Sequence, residues 1–313
     1  AEYALRVERG RANAALAGAR SAIAADLPRA FDAECGRAPA LLSLPATAGA
    51  PGLDERQAAV ERILLALAAE HPSVGYCQGL DVVATFCLSV AEEAGDSLRE
   101  AEAGAFSFLA AVLEFDDLRS WFEPPLLGLR VACGALCVLV RRFAPRLATH
   151  LAAEGARIEF LCLSWLQTLF VGLAPLPRGT LCRIWECWLL DGSPKALVRT
   201  ALALLLRAEG PLLGAPIERV AEVLRGFQPP LDHHLEVGTL ISDAWATKVT
   251  SSVLRGALAE AAAELERSEQ QAASCACAVL EEVELEEDAE LESEAEPGAT
   301  GGRQREEFIQ SLE

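Results

Sequence analysis

The sequence predicts an all-α fold, and three observations lead to this prediction. Alanine, leucine, glutamate and arginine dominate the 313 residues while tyrosine occurs only twice, a composition that favours helix over sheet. No segment alternates apolar and polar residues as a half-buried strand does, and no repeat of fixed period indicates a solenoid. Apolar residues instead recur at helical spacing, for example at Val60, Ile63, Leu64 and Leu67.

Prolines, glycines and turns bound the predicted helices. Pro72 and Pro145 stop two of them because proline lacks the amide that continues the helical hydrogen bonds. Residues 38–52 are rich in proline, alanine and glycine and predict a loop, and the aromatic residues 115–125 predict irregular structure. The helices are expected, in chain order, over residues 3–25, 54–70, 80–90, 100–113, 126–143, 146–154, 157–173, 178–190, 195–207, 217–224 and 235–246.

Negative charge is concentrated towards the C-terminal end. The net charge is −19, but the residues from Glu264 onward hold sixteen acidic and three basic side chains, so the preceding part is only mildly acidic. That part shows no basic stripe, which argues against nucleic acid as a partner. We expect one domain over residues 1–250 and a helical extension over 251–267. Residues 268–313 are too acidic to contribute to a core and predict a disordered tail.

The cysteines and histidines do not indicate a metal site. Ten cysteines in a chain of this length are too few for a disulfide scaffold, and several, such as Cys87 and Cys162, lie inside apolar helices. They are typical of reduced thiols in a cytoplasmic protein. The four histidines do not fall at zinc-ligand spacing with them, so we expect no structural metal.

Membrane and secretory segments are not evident in the sequence. No uninterrupted apolar run reaches the roughly 18 to 20 residues that a membrane helix needs. Charged residues near the start fall where a signal peptide would have its apolar core. The chain contains no methionine, which leads us to expect a fragment with a truncated N-terminal edge.

The central stretch of the sequence is the loop predicted between helices 54–70 and 80–90. It reads His71-Pro72-Ser73-Val74-Gly75-Tyr76-Cys77-Gln78-Gly79-Leu80. Because two glycines bracket Tyr76 and Gln78, a short and sharply turned loop is expected to present a glutamine amide at the mouth of a helix pair. A helix connector with a polar residue at its tip is the simpler explanation of Tyr-x-Gln-Gly taken alone.

A second candidate site lies upstream, where Asp26 and Pro28 form a helix-start signature. Aspartate is a favoured N-cap, and proline is tolerated in the first turn of a helix. This interpretation places Arg29 near a helix terminus, between the apolar residues Leu27 and Phe31. A surface arginine beside a cap is the simpler interpretation of this segment taken alone.

Three separated motifs agree in order and spacing with one known family. Ile23-x-x-Asp26-x-x-Arg29 precedes Tyr76-x-Gln78-Gly79. A third block comprises Trp165-Leu166-Gln167-Thr168-Leu169-Phe170, Leu176-Pro177 and Arg183-Ile184-Trp185-Glu186. Together they resemble the arginine-finger motif, the glutamine-finger motif and the structural block of the TBC domain, the helical domain of Rab GTPase-activating proteins. The resemblance runs over about residues 23–245.

The resemblance implies a multi-helix TBC-type domain that accelerates GTP hydrolysis by a Rab-type GTPase in its GTP form. Arg29 and Gln78 would be the catalytic fingers, with Asp26, Tyr76 and Gly79 as supporting residues. Mg²⁺ and GTP would arrive with the GTPase, so the chain needs no cofactor of its own. The implied location is the cytoplasm, with recruitment to endomembranes through the partner. The alternatives are a non-catalytic TBC module that binds a Rab as a membrane-traffic scaffold, and an unrelated helical interaction domain.

The sequence departs from the family pattern at several positions. Ala30 stands where threonine or serine usually follows the finger arginine, and Glu186 replaces an aspartate. Leu80 and Asp81 replace a common Met-Asn pair, and we expect Asp81 to bring a charge close to the phosphate site and to weaken binding. The opening helix of the family, with its tryptophan, is not evident before Tyr3.

Overall fold

Helices are the only regular elements in the residues that the computed structural model describes, which are 2–31, 52–173, 176–226 and 237–294. This confirms the all-α prediction. The loop predicted over residues 38–52 lies outside the described residues except for Gly52. The chain divides into two units, residues 1–262 and residues 263–313.

The described α-helices are numbered here in chain order. They are α1 (Glu2–Ala12), α2 (Ala17–Ala30), α3 (Leu53–Glu70), α4 (Leu80–Glu93), α5 (Leu98–Glu114), α6 (Asp116–Phe122), α7 (Leu127–Phe143), α8 (Pro145–Ala153), α9 (Ile158–Leu161), α10 (Leu163–Gln167), α11 (Arg178–Asp191), α12 (Lys195–Leu212), α13 (Ile217–Gly226), α14 (Val237–Ala246) and α15 (Ser251–Glu294).

The core of the larger unit is built around α3, α4 and α12, which are buried over much of their circumference. Such burial agrees with their largely apolar sequences. Helices α1 and α2 pack against α3, and α2 also contacts α4. Helix α1 crosses α3 closely at Gly10, where a Cβ would clash with the carbonyl oxygen of Leu65. The packing of α2 against both α3 and α4 positions the candidate site.

The first predicted helix, over residues 3–25, is divided in the structure at Asn13. The Asn13 side-chain oxygen accepts a hydrogen bond of 3.0 Å from the amide of Ala15 and caps a short 3₁₀ helix, Ala14–Leu16. Asparagine competes with the helical backbone in this way, so one helix becomes α1 and α2. The prediction of irregular structure over residues 115–125 was also wrong, since α6 occupies most of that segment.

The predicted helix over residues 157–173 is broken into α9, α10 and a turn. Leu169 and Phe170 have φ values of 50° and 69°, which a continuous helix does not allow. The freed carbonyl of Leu169 accepts a hydrogen bond of 2.9 Å from the indole of Trp185. Leu169 and Phe170 remain buried, so their apolar spacing matched a helix although the backbone turns away from one.

Helix α15 begins where the helical extension was predicted. Its residues Leu254, Ala257 and Ala261 are buried, so its first turns belong to the core of the larger unit. The helix continues to Glu294, into the segment predicted to be disordered. Residues 266–274 are exposed throughout, in agreement with the prediction that the acidic segment contributes nothing to a core. Residues 295–313 lie outside the described part of the chain.

Candidate functional site

The loop between α3 and α4, residues 71–79, is a compact turn. The amide of His71 donates to the Leu67 carbonyl at 2.8 Å and ends α3. The carbonyl of His71 accepts from the amides of Val74 and Gly75 at 3.1 and 2.9 Å. Gly75 has a φ of 58°, a left-handed conformation that favours glycine. The turn therefore delivers the next residues to the start of α4, as the two glycines predicted.

Gly79 fixes the end of this α3–α4 loop. It is the N-cap of α4 and has a φ of 101°. A Cβ at this position would lie 3.3 Å from Thr168 Cγ2 and 3.5 Å from Gln167 Cγ. The Gln167 amide donates to the Cys77 thiol at 3.5 Å. The third sequence block thus supports the loop directly, a role that the sequence did not reveal because it depends on a contact between distant segments.

Asp26 and Arg29 lie in the last turns of α2. The prediction that Asp26 caps the start of a helix was wrong, because α2 runs through Asp26 and Pro28 to Ala30. Arg29 lies near a helix terminus as predicted, but at the C-terminal end. Its guanidinium Nη2 is 2.9 Å from Asp26 Oδ1, and its Nε donates to the Ala25 carbonyl at 3.2 Å. Half of the Arg29 side chain is exposed, while that of Asp26 is only 11% exposed.

Tyr76 connects α2 to the α3–α4 loop. Its hydroxyl donates to Asp26 Oδ2 at 2.9 Å, so the two oxygens of Asp26 bind Tyr76 and Arg29. Burial, the charge of Asp81 and the hydrogen bond to Asp26 raise the pKa of Tyr76 above its ordinary value. The phenol therefore stays protonated and acts as a donor at neutral pH. Asp26 and Tyr76, both predicted as supporting residues, are thus in direct contact.

Asp81 lies close to Tyr76 and is fully buried. Its Oδ1 accepts a hydrogen bond of 2.9 Å from the amide of Gly79. Asp81 lies in the first turn of α4 with its side chain buried, and the expectation that its charge comes close to the phosphate site stays a prediction. We refer to Asp26, Tyr76 and Asp81 as the carboxylate–phenol cluster.

Two exposed polar side chains adjoin this buried cluster. Arg29 contacts it through Asp26, and Gln78 lies two residues from Tyr76 in the α3–α4 loop. Gln78 is exposed, as predicted for a residue at the tip of the loop. A guanidinium carries five N–H donors, and an amide both donates and accepts hydrogen bonds. The arrangement leaves both groups exposed at the surface beside the cluster.

The remaining residues of the sequence motifs serve the core or the surface. Ala30 is buried, so a hydroxyl at this position is not needed for packing. Trp165, Trp185 and Trp188 are buried, and Trp185 stacks on Phe108 with ring centroids 5.9 Å apart. Glu186 is exposed and pairs with Arg183 at 2.6 Å. These positions do not contribute to the cluster beneath Arg29 and Gln78.

The described residues offer neither a metal site nor a reactive thiol. No group of three or more histidine, cysteine or carboxylate side chains within them is placed to hold a metal ion. Burial raises the pKa of Cys77, the thiol in the α3–α4 loop, so this cysteine is protonated at neutral pH. Within the same residues, no helix is long and apolar enough to cross a membrane.

Comparison with known proteins points to one family. A sequence model described as the Rab-GTPase-TBC domain matches residues 49–213. The match includes Gln78 and the third block, whereas Arg29 precedes it.

The chain is 30% identical over 154 residues to TBC1 domain family member 2A of Bos taurus, covering 49% of this chain and 16% of that protein. It is 30% identical over 175 residues to growth hormone-regulated TBC protein 1-A of Danio rerio, covering 54% and 46%. The chain thus spans less than half the length of either relative.

Two solved structures have a similar fold. One is described as the Ypt/Rab-GAP domain of Gyp1p, with a TM-score of 0.61, 20% sequence identity and coverage of 78% of both chains. The other is described as a Chlamydomonas flagellar RabGAP TBC domain, with a TM-score of 0.57 and 23% identity, covering 78% of this chain and 71% of that one. At these identities the similarity establishes the fold alone.

Proposed function

Because this chain belongs to the Rab-GTPase-TBC domain family, we propose that it accelerates GTP hydrolysis by a Rab-type small GTPase. In this proposal Arg29 and Gln78 enter the nucleotide site of the GTPase together. The chain acts on a GTP-bound Rab that brings its own Mg²⁺, and it needs no cofactor of its own. It works in the cytoplasm, where binding to a membrane-attached Rab recruits it to endomembranes.

The observation that carries this proposal is the hydrogen bond between Tyr76 and Asp26. Tyr76 belongs to the segment that the family model matches, whereas Asp26 and Arg29 precede that segment. The 2.9 Å contact joins residues 50 positions apart in sequence and holds the arginine segment against the glutamine loop. The segments that carry the exposed Arg29 guanidinium and the exposed Gln78 amide are thereby joined through the carboxylate–phenol cluster.

Arg29 has the chemistry to stabilise charge on the γ-phosphate. As water attacks the γ-phosphorus and the bond to the β–γ bridging oxygen breaks, negative charge accumulates on the phosphate oxygens. A planar, permanently charged guanidinium can bind two of these oxygens at once. Arg29 Nη2 contacts Asp26, and Arg29 Nε donates to the Ala25 carbonyl. These two contacts orient the guanidinium. An arginine supplied in this way is worth about 10³ to 10⁵ in rate, or about 4 to 7 kcal/mol.

Gln78 has the chemistry to position the attacking water. Its amide oxygen accepts a hydrogen bond from the water, and its amide NH₂ donates one to a neighbouring oxygen. The Gln78 amide must be held in place to position this water, because a displacement of about 1 Å lowers a rate by about 10²-fold. The left-handed Gly79 and the contacts of the third block provide a rigid base for Gln78.

The first test measures phosphate release from a panel of GTP-loaded Rab proteins with the unmodified chain and its variants. We expect at least one Rab to be stimulated. Arg29→Ala should lower the stimulated kcat by about 10³-fold and Gln78→Ala by about 10²-fold, because each removes a group that acts in the transition state. Arg29→Lys keeps the charge but loses the planar fork, so it should also lose most of the stimulation.

Arg99→Ala is the matched control, because Arg99 is an exposed arginine on α5, outside the cluster. It should leave the stimulated rate unchanged. If a Rab binds the chain but its hydrolysis is not accelerated, the enzyme proposal fails and the non-catalytic scaffold takes its place. Stimulation that survives both Arg29→Ala and Gln78→Ala would contradict the assignment of the two residues.

A further inference from the structure

We propose that Asp81 is a positioning residue for Gln78, which it holds through the Gln78–Gly79 peptide and the Tyr76 hydroxyl. This inference rests on the proposed function. It assigns a role to a position at which the sequence departs from its family pattern. Asp81 touches neither substrate nor water in this mechanism, and it acts only through the residue that does.

The first contact fixes the backbone at Gln78. The Gly79 amide that donates to Asp81 Oδ1 belongs to the same peptide unit as the Gln78 carbonyl. Its 2.9 Å hydrogen bond therefore sets the orientation of the peptide from which the Gln78 side chain projects. Gly79 itself is buried, and an amide left without its acceptor in such a place is costly, at about 1 to 3 kcal/mol.

The second contact is with Tyr76, which lies in the same loop as Gln78. The Tyr76 hydroxyl donates to Asp26 of α2 at 2.9 Å, and it also interacts with Asp81 of α4. Its single proton is donated to Asp26, and Asp81 is a second carboxylate near the phenol. The raised pKa of Tyr76 agrees with a phenol close to these two carboxylates. A displacement of Asp81 is therefore expected to move Tyr76 and the loop that carries Gln78 together.

The chain contains a matched control for this carboxylate. Asp81 follows Gly79 and Leu80 at the second position of α4, and Asp54 follows Gly52 and Leu53 at the second position of α3. The two aspartates have the same local sequence and the same place relative to a helix N-terminus. Asp54 is exposed, whereas Asp81 is fully buried. A difference in activity between Asp81→Ala and Asp54→Ala therefore reports on the buried contacts of Asp81. It does not report on the helix dipole, which both aspartates share.

The experiment compares stimulated hydrolysis by the unmodified full chain with that of Asp81→Asn, Asp81→Ala and Asp54→Ala. Asparagine keeps an oxygen for the Gly79 amide and nearly the same volume, so kcat should stay within about threefold. Alanine removes the acceptor, and kcat should fall by about 10²-fold with KM nearly unchanged. Asp54→Ala should be indistinguishable from the unmodified chain.

Double variants separate positioning from a general loss of structure. If Asp81 acts only through Gln78, adding Asp81→Ala to Gln78→Ala should lower kcat no further. A loss of folded protein would instead lower the rate by the same factor in either background. If Asp81→Ala does not fold, Asp81→Val tests the same contact, since it keeps a branched side chain of similar size without an acceptor oxygen and should lower kcat with no further loss beside Gln78→Ala.

The outcomes distinguish this inference from the proposed function. If the unmodified chain stimulates no Rab, the proposed function fails and the inference fails with it. If the unmodified chain is active and Asp81→Ala or Asp81→Val matches its kcat, only the inference is overturned. The inference is also overturned if Asp81→Ala lowers kcat further in the Gln78→Ala background. It is likewise overturned if Asp81→Asn lowers kcat as much as Asp81→Ala does, because asparagine keeps the acceptor oxygen.

Discussion

Gly79 meets two separate requirements at the start of α4. Its φ of 101° lies in a region that residues with a Cβ rarely adopt, and a Cβ at this position would lie 3.3 Å from Thr168 Cγ2. Gly95 has nearly the same φ, 98°, but nothing lies within 4 Å of where its Cβ would stand. Substitution of Gly95 therefore tests the left-handed backbone alone, whereas substitution of Gly79 tests the backbone and the contact with Thr168 together.

We expect Gly79→Ala to lower the free energy of unfolding by about 1 to 3 kcal/mol, because the new Cβ adds a close contact with Thr168 to the backbone strain. Gly95→Ala should lower it less, since it carries the strain alone. Urea denaturation measures both values. Equal losses in the two variants would show that the contact with Thr168 adds nothing. Thr168→Ser removes Cγ2 and should recover part of the loss at Gly79.

Individual site residues were predictable to different degrees. The exposure of Gln78 followed from its place between two glycines in a predicted loop. The role of Asp26 did not, because Asp26 with Pro28 also matches a helix start. Proline is tolerated near the end of α2 because Ala24 and Pro28 are exposed, so water can bind the carbonyl that lacks a donor. The burial of Asp81 depends on the packing of α4, which its immediate neighbours do not reveal.

At the scale of helices, α1 is attached to α3 by an ion pair with two hydrogen bonds. Arg6 Nε and Nη2 donate to the two carboxylate oxygens of Glu70 at 2.6 and 3.2 Å. These hydrogen bonds lower the pKa of Glu70. Glu8 and Arg11 form a looser pair within α1, 3.5 Å apart and more exposed. The first pair joins two helices and the second does not.

Glu70→Gln should reduce the free energy of unfolding at pH 7 by up to about 1 kcal/mol, since the pair is only partly buried. The folded chain binds the Glu70 proton less readily than the unfolded chain, so this contribution is fully present above the ordinary carboxyl pKa. It is lost as the pH falls through the lower pKa of the folded state. Denaturation of both proteins from pH 7 to pH 3 measures the effect. A difference that persists unchanged at the acid end would contradict it, and Glu8→Gln should show none at any pH.

Helices with uniform amphipathic patterns were predicted well, and segments governed by tertiary contacts were not. Helix α3 was placed to within one residue because its apolar positions share one face and Pro72 follows it. Residues 157–173 had the same apolar spacing, but there the Leu169 carbonyl bonds to Trp185 and the chain turns. The side chain that makes this hydrogen bond lies sixteen residues away in the sequence. Periodicity reports which residues are buried, and it does not report whether the backbone between them is continuous.

At the scale of the whole molecule, the site exists only because distant segments meet. Arg29, Gln78 and Gln167 come from α2, the α3–α4 loop and α10, and contacts through Asp26, Tyr76 and Cys77 connect these elements. The three sequence motifs predicted which segments matter, because their order and spacing match those of a family. They did not predict the contacts themselves. Those depend on how α2 packs against α3 and α4, a property of the assembled core.

The acidic C-terminal segment provides a last prediction, about stability. Residues 268–274 are exposed, whereas Leu254, Ala257 and Ala261 at the start of α15 are buried. A chain that ends after Arg267 should therefore unfold at the same temperature as the full chain, within about 2 °C, because the described residues that it loses, 268–274, are all exposed. A chain that ends after Thr250 should lose at least the burial of Leu254, worth about 1.5 to 3 kcal/mol. Thermal denaturation of the three proteins tests this, with Leu254→Ala in the full chain as the control for the buried contact. A lower unfolding temperature after removal of residues 268–313 alone would show that the acidic segment stabilises the fold, contrary to the exposure of its first residues.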